Sequence, residues 1–214
     1  MKRVVFGSTV GIAVLVIFPI WMTPKPVNHP GRHDEKPADS PRPDSAIIED
    51  RLVFPLPHPV DRIFKKPFGI YITPESSPVQ PERFSGYHTG ADFEVFPEEM
   101  DEKITVRAVC NGRLIEKRKA GGYGGVVVLS AELRSLPVTI VYGHLSLASV
   151  PWASGDSIMA GQEIGILGSD KSPETDGERK HLHLSIHKGT DLNIRGYVNS
   201  RELLANWFDP CDFF

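Results

Sequence analysis

The chain has little of what several common protein classes require. Among its 214 residues are only two cysteines, Cys110 and Cys211, and neither lies in a Cys-x-x-Cys or zinc-finger spacing. The formal net charge is -3, so composition offers no basic surface for nucleic acid. A Gly-x-Ser-x-Gly motif is also missing, which removes the nucleophile elbow of one large class of serine hydrolases.

The two cysteines leave two interpretations open. In an oxidising compartment Cys110 and Cys211 could form a disulfide, but sequence cannot establish that they are close; two inert thiols are the alternative. A third role, Cys110 as the nucleophile of a cysteine peptidase, is disfavoured, since no helix begins beside it to lower its pKa.

The first residues predict export from the cytoplasm. The run from Val4 to Met22 contains no charged residue and follows Lys2 and Arg3. A helix of this length just spans a hydrocarbon core of about 30 Å. No small-residue cleavage pattern follows the run, which favours an uncleaved signal anchor over residues 1–22; a cleaved signal peptide is the alternative.

Residues 23–46 are rich in proline and charge and have almost no large apolar side chain. Such a segment cannot bury enough surface to offset its ordering entropy, so we expect a disordered, semi-extended linker. The remaining residues, 47–214, suffice for one domain with its own core.

Short strands separated by glycine turns dominate the rest of the chain. The runs include VRAVC (106–110) and RLIEKRK (113–119), with Asn111-Gly112 between them as a hairpin signal, then VVVLS (126–130), VTIVYGH (138–144) and EIGILG (163–168). No alternation of strands with helices is present. The pattern predicts an all-β fold, an antiparallel sandwich or barrel-sandwich hybrid.

One short helix is predicted near the C-terminus, in SRELLANWF. Asn199 is positioned to cap it, and Glu202 at the third helical position would close a capping box.

The octapeptide KHLHLSIH (180–187) contains histidines at alternate positions. In a β-strand, His181, His183, Ser185 and His187 point to one face and Leu182, Leu184 and Ile186 to the other. The apolar face would pack in a core, and the imidazole face would form a preorganised row. Such a row suits a metal site or a proton-transfer site, although by itself the motif is weak.

Two other segments carry candidate partners. In GYHTGADFEV (86–95), His88 and Asp92 are too far apart along an extended strand to share an ion, but Gly90 between them permits a bend. In VTIVYGH, alternation places His144 on the face of Val138, Ile140 and Tyr142, at the end of the strand. Taken alone, such a terminal histidine is most simply exposed to solvent.

The order of these motifs resembles that of the lysostaphin-type, or LytM-like, zinc metallopeptidases. The motifs are His88-Thr-Gly-Ala-Asp92, the GGYGG loop (121–125), Tyr142-Gly-His144-Leu, GDSIMAGQEIGILG (155–168) and His181-Leu-His183. The family cleaves peptide cross-links in bacterial cell walls. The resemblance implies that His88, Asp92 and His183 bind one zinc ion and that His144 and His181 are catalytic.

The chemistry of the residues agrees with these implied roles. Two histidines and one carboxylate form a catalytic zinc set that leaves a fourth position open. The resemblance also suggests Tyr142, Gly122 and Gly124 as contacts of the stem peptide. The expected protein is a membrane-tethered zinc endopeptidase of peptidoglycan outside the cytoplasmic membrane; the alternative is a non-catalytic LytM-like module that binds wall or activates another hydrolase.

The chain also departs from the family. Members commonly approach the His-x-His pair through a short Ser/Thr-Gly-Pro segment, whereas this chain has the longer, charged SDKSPETDGERK (169–180). Leu184 and Ser185 follow the pair where Phe-Glu is frequent. These differences imply a changed cleft and changed partners of the metal ligands.

Overall fold

The computed structural model describes residues 52–214, and the expected mostly β, antiparallel architecture is confirmed for them. The strands are β1 (Tyr71–Ile72), β2 (Gly86–His88), β3 (Gly90–Glu94), β4 (Thr105–Arg107), β5 (Gly112–Ala120), β6 (Gly124–Leu133), β7 (Leu136–Gly143), β8 (Ser157–Ile158), β9 (Glu163–Ile166), β10 (His181–Lys188), β11 (Tyr197–Val198) and β12 (Trp207–Phe208). Helices α1 (Pro59–Arg62) and α2 (Arg201–Leu204) are short, as are the 3-10 turns Pro97–Glu99, Leu147–Ser149 and Pro210–Phe213.

The predicted anchor (1–22) and linker (23–46) lie outside the described residues. Among the helices of residues 52–214, none is long and apolar enough to cross a membrane.

The largest sheet is built around β10. Its strands follow the order β12-β10-β7-β6-β5-β8, and β3 also pairs with β10. The sheets β1-β2-β11 and β4-β9 are smaller, and the pairings in all three sheets are antiparallel. Because β10 has neighbours on both sides, its backbone is held in place along its length, and this position makes it a rigid base for side chains.

The alternation predicted for β10 is confirmed. Leu182, Leu184 and Ile186 belong to the main apolar core, together with side chains of β3, β6 and β7. The opposite face, with its histidines, is also covered, because every residue from 181 to 187 is buried. The row of imidazoles therefore lines a protected site and does not face bulk solvent.

The predicted hairpin at Asn111-Gly112 is wrong. Strand β4 ends at Arg107 and pairs with β9, whereas β5 pairs with β6 and β8. The side chain of Asn111 accepts a hydrogen bond of 2.8 Å from the amide of Ala160, which joins this turn to a distant one. The hairpin instead lies at GGYGG, which links β5 to β6.

The C-terminal helix is present but shorter than predicted. Ser200, not Asn199, caps α2, since its side chain accepts a hydrogen bond from the amide of Leu203. The helix ends before Trp207, because Trp207 and Phe208 form β12 and pair with β10. Sheet pairing at the edge of β10 thus outweighs the helical pattern.

Candidate metal centre

Strand register brings two of the predicted metal ligands together. Asp92 in β3 lies directly opposite His183 in β10, so the two side chains are on the same face of the sheet. His88 ends β2, and the chain bends at Thr89 before β3 begins. The bend expected between His88 and Asp92 is therefore present, one residue before Gly90.

Gly90 serves close packing. A Cβ atom at this position would overlap the main-chain oxygen of Leu184 and lie 2.9 Å from the ring of His183. A glycine is thus required where β3 passes the side chain of a candidate ligand.

The three candidate ligand atoms form a compact triangle. Nε2 of His88 is 3.0 Å from Nδ1 of His183 and 3.2 Å from Oδ1 of Asp92, and the last two atoms are 3.0 Å apart. All three residues are buried, and together they are a group able to hold a metal ion. Tetrahedral zinc with bonds of about 2.1 Å separates its ligand atoms by about 3.4 Å. The triangle fits that geometry with small adjustments.

Hydrogen bonding prepares His88 for this role. Its Nδ1 lies 3.2 Å from the carbonyl oxygen of Pro67. A carbonyl can only accept, so Nδ1 carries the proton and Nε2 keeps its lone pair toward the other ligands.

Burial and neighbouring groups set the protonation of His183 and Asp92 in the form that binds a metal. It lowers the pKa of His183 to about 4, which favours the neutral imidazole. Burial by itself raises the pKa of Asp92, but the charges of His181 and His88 and hydrogen bonds from His181 and His183 hold it well below its usual range. At neutral pH His183 therefore presents a neutral nitrogen donor and Asp92 an anionic oxygen donor.

His144 and His181 lie next to each other at the triangle, with ring centroids 4.2 Å apart. Nε2 of His181 is 3.3 Å from Oδ2 of Asp92, and its Nδ1 donates to the carbonyl of Arg179 at 2.8 Å. Burial and the neighbouring His181 lower the pKa of His144 well below its usual range. The two predicted catalytic histidines thus meet beside the predicted ligands.

The backbone at His144 differs from the sequence expectation. Strand β7 ends at Gly143, and His144 adopts a left-handed conformation with φ of 63°. Alternation therefore stops one residue early, and the imidazole turns away from the core face of Val138 and Ile140. His144 is buried in the site and is not the exposed strand end that the isolated pattern suggested.

A cleft of about 750 Å³ opens over these histidines. Three of its buried polar atoms, Oη of Tyr123, Nδ1 of His144 and Nε2 of His183, have no hydrogen-bond partner among the described residues. Unpaired polar atoms at buried positions are costly, so their presence here indicates a place for a ligand or for water. This observation and the chemistry of the donor triangle fit a catalytic metal site.

The three residues suggested as substrate contacts are placed differently from one another. Gly122 lines the cleft, but Tyr142 does not; it is fully buried in the core, where its hydroxyl accepts a hydrogen bond from the amide of Val109 at 2.9 Å. The suggestion for Tyr142 is therefore corrected, because alternation along β7 points it inward. A Cβ at Gly124 would overlap the main chain of Glu174, so this glycine allows two loops to pack.

Several residues of the site were missed from sequence. Tyr123, on the glycine-rich turn, lies with its ring 5.2 Å from that of His183. Arg179 forms ion pairs with both the ligand Asp92 and Glu94. Glu94 could have been found, since it lies two residues after Asp92 on the same face of a strand. For Arg179 the only signal in the sequence was its place in the unusual charged segment 169–180.

The cysteines take no part in the candidate site. Cys110 and Cys211 are free thiols, and burial raises the pKa of each to about 12. Neither lines the cleft.

Comparison with known proteins places this site in a family. Residues 86–194, slightly more than half of the chain, match Peptidase family M23. Endolysin 2638A of Staphylococcus phage 2638A is 31% identical over 101 residues, which are 47% of this chain. The chain spans only 19% of that endolysin's length.

The chain is also similar to two solved structures. The catalytic domain of the antimicrobial peptidase lysostaphin from Staphylococcus simulans is 23% identical, with a TM-score of 0.46, over 69% of this chain and 87% of that domain. LytU is 26% identical, with a TM-score of 0.46, over 71% of this chain and 83% of LytU.

The match over half of the chain defines a metallopeptidase-type domain with the lysostaphin-like order of motifs. The chain belongs to peptidase family M23.

Proposed function

We propose that this protein is a zinc metalloendopeptidase that hydrolyses peptide cross-links of bacterial peptidoglycan. The observation that carries the proposal is the convergence of five side chains at one buried site: His88, Asp92 and His183 as ligands of one zinc ion, with His144 and His181 beside them. Membership of family M23 and the lysostaphin-type order of motifs support peptidoglycan as the substrate.

The zinc ion, His181 and His144 would have separate roles in hydrolysis. A bound zinc ion would polarise the scissile carbonyl and acidify a water molecule. The Nδ1–H of His181 is held by the Arg179 carbonyl, so Nε2, which lies 3.3 Å from Oδ2 of Asp92, is the ring nitrogen that would take the proton of the attacking water. His144, whose lowered pKa keeps it neutral, donates a ring N–H to the developing oxyanion.

Two alternatives are weaker. A non-catalytic LytM-like module, which would bind wall or activate another hydrolase, has no need for five complete functional side chains in a buried cluster. A cysteine peptidase would need a reactive thiolate, whereas the pKa of Cys110 is raised to about 12 by burial.

Mass spectrometry of fragments released from purified sacculi of defined chemistry tests the activity. Residues 47–214 should convert cross-linked muropeptides to shorter products with one new amino terminus per cut, and removal of the metal by a chelator should stop release. The mass of the products identifies which peptide bond is cut.

A Cys110→Ser variant is the matched control for the chemistry and should release the same products at an unchanged rate. Binding to sacculi without any new amino terminus would contradict the peptidase assignment and favour the non-catalytic module.

We further propose that residues 1–22 anchor the protein in the cytoplasmic membrane and that the peptidase domain lies outside it. The uncharged run from Val4 to Met22 supports the anchor. The proline-rich residues 23–46 would let the domain reach nearby wall while it stays tethered.

The full chain should fractionate with membranes and keep residues 1–22, because no cleavage pattern follows the apolar run. Protease added outside the cytoplasmic membrane should digest the domain in cells whose membrane is intact. A soluble form beginning near residue 23 would support the signal-peptide alternative, and a domain protected inside the cytoplasm would contradict export.

A further inference from the structure

The guanidinium of Arg179 lies against the ligand cluster, and no step of the proposed reaction uses it. Its Nη2 donates to Oδ2 of Asp92 at 2.8 Å, and its Nε donates to both carboxylate oxygens of Glu94 at 2.9 and 3.0 Å. The side chain is only 12% exposed. A buried cation shared by two carboxylates has a single well-defined orientation, because the planar fork matches the carboxylate geometry.

Because Arg179 holds one carboxylate oxygen of Asp92, the two oxygens of this residue have different roles. Oδ1 faces the nitrogen atoms of His88 and His183 at 3.2 and 3.0 Å, whereas Oδ2 is held by Arg179. The terminal torsion of an aspartate is soft, so a carboxylate without such a partner rotates easily. The guanidinium therefore presents one oxygen, and only one, to the place where the ligand atoms converge.

Glu94 is the anchor of this arrangement. It is 2% exposed, and besides Arg179 it contacts Lys65, with 3.3 Å between Nζ and Oε2. On β3 it follows Asp92 by two residues, and it lies opposite His181 in the pairing with β10. Sheet register thus places Glu94, the ligand Asp92 and two histidines of β10, His181 and His183, in one rigid unit.

The main chain of Arg179 acts on the catalytic side of the same site. Its carbonyl accepts the hydrogen bond from Nδ1 of His181 at 2.8 Å. The next residue, Lys180, is buried, and its Nζ donates to the carbonyl oxygens of Glu99 and Met100 at 3.0 and 2.9 Å. The segment that enters β10 is therefore fixed both by its side chains and by its backbone.

We propose that Arg179 is a positioning residue that restricts Asp92 to binding the metal through Oδ1 alone. Arg179 belongs to the charged segment 169–180 before His181, the segment that differs from the short Ser/Thr-Gly-Pro sequence common in the family. The effect on turnover rests on the proposed peptidase function, whereas the effect on the metal site does not.

Arg179→Lys tests the proposal, because lysine keeps the charge but cannot bridge two carboxylates with a planar fork. Glu94→Gln removes the negative charge that pairs with Arg179 and keeps the size of the side chain. It provides the same test should Arg179→Lys not fold. The matched control is Arg83→Lys, since Arg83 pairs with Asp176 and Glu178 of the same loop and touches no candidate ligand.

Three measurements are made on the folded variants: zinc affinity by competition with a chelator, the absorption spectrum of the cobalt-substituted protein, and kcat and KM on cross-linked muropeptides. Loss of a group that orients a metal ligand costs about 10- to 100-fold in affinity. We expect that loss, a changed cobalt spectrum and a lower kcat at unchanged KM in Arg179→Lys and Glu94→Gln. Arg83→Lys should match the wild type.

Wild-type zinc affinity together with a wild-type cobalt spectrum in both folded variants would overturn the proposal. A raised KM with unchanged kcat and metal binding would also overturn it and would instead assign Arg179 to a substrate contact. If the wild-type protein binds zinc but cleaves no muropeptide, the proposed function fails, while the affinity and the spectrum still decide the role of Arg179.

Discussion

Alanine at position 183 is expected to empty the metal site. Purified residues 47–214 should carry about one zinc ion per chain, and His183→Ala and Asp92→Ala should each retain only a small fraction of it after dialysis. Each change removes one of three protein ligands, and two remaining donors cannot hold the ion in competition with water. Elemental analysis of the dialysed proteins measures the effect.

His187→Ala is the control for this experiment. His187 lies on the same strand and the same face as His183, and it is also buried, but its ring contacts Trp207 and Asn193 and not the ligand triangle. Its replacement should leave the zinc content unchanged. Full occupancy in His183→Ala or Asp92→Ala would show that the ligand assignment is wrong.

Loss of either catalytic histidine should leave zinc in place and remove most of the turnover. A positioned acid or base contributes about 10²- to 10⁴-fold to a rate, so His181→Ala and a variant at His144 should fall by that order. The rate of release of muropeptides, measured beside zinc content and circular dichroism, separates this effect from unfolding.

The choice of variant matters at His144. Its φ of 63° is left-handed, a conformation that costs most L-residues about 1–2 kcal/mol but that asparagine tolerates. His144→Asn therefore removes the imidazole with less disturbance of the backbone than His144→Ala. Near wild-type turnover in the folded, zinc-loaded variant would contradict a catalytic role for the residue.

The strand that carries His181 and His183 could be predicted because its signal is local. A period of two in KHLHLSIH separates apolar from polar side chains regardless of what packs on either face, and the structure keeps that separation. The Asn111-Gly112 hairpin failed for the opposite reason. A turn signal states that the chain reverses, but the partner of each strand depends on residues far away, here β9 for β4.

At His144 the alternation of side chains along β7 ends, and the sequence pattern does not predict this end. Alternation along β7 is correct through Tyr142, which is buried in the core as its position requires. The reversal at His144 comes from one left-handed residue that is not itself a glycine, although it follows Gly143. Tyr142, which was expected to contact substrate, therefore lies in the core, whereas Tyr123 of the glycine-rich turn lines the cleft.

The sequence by itself determined which side chains are available for the chemistry and which face of β10 carries them, since residue type and a period of two are properties of the local chain. The order of motifs also indicated the family, with His88, Asp92 and His183 as one set and His144 and His181 as another. Only the tertiary structure decided the distances, because the β3–β10 register and the bend at Thr89 bring together atoms that are about ninety residues apart. The clamp formed by Arg179 and Glu94 likewise exists only through that register, which places a loop residue against two carboxylates of a neighbouring strand.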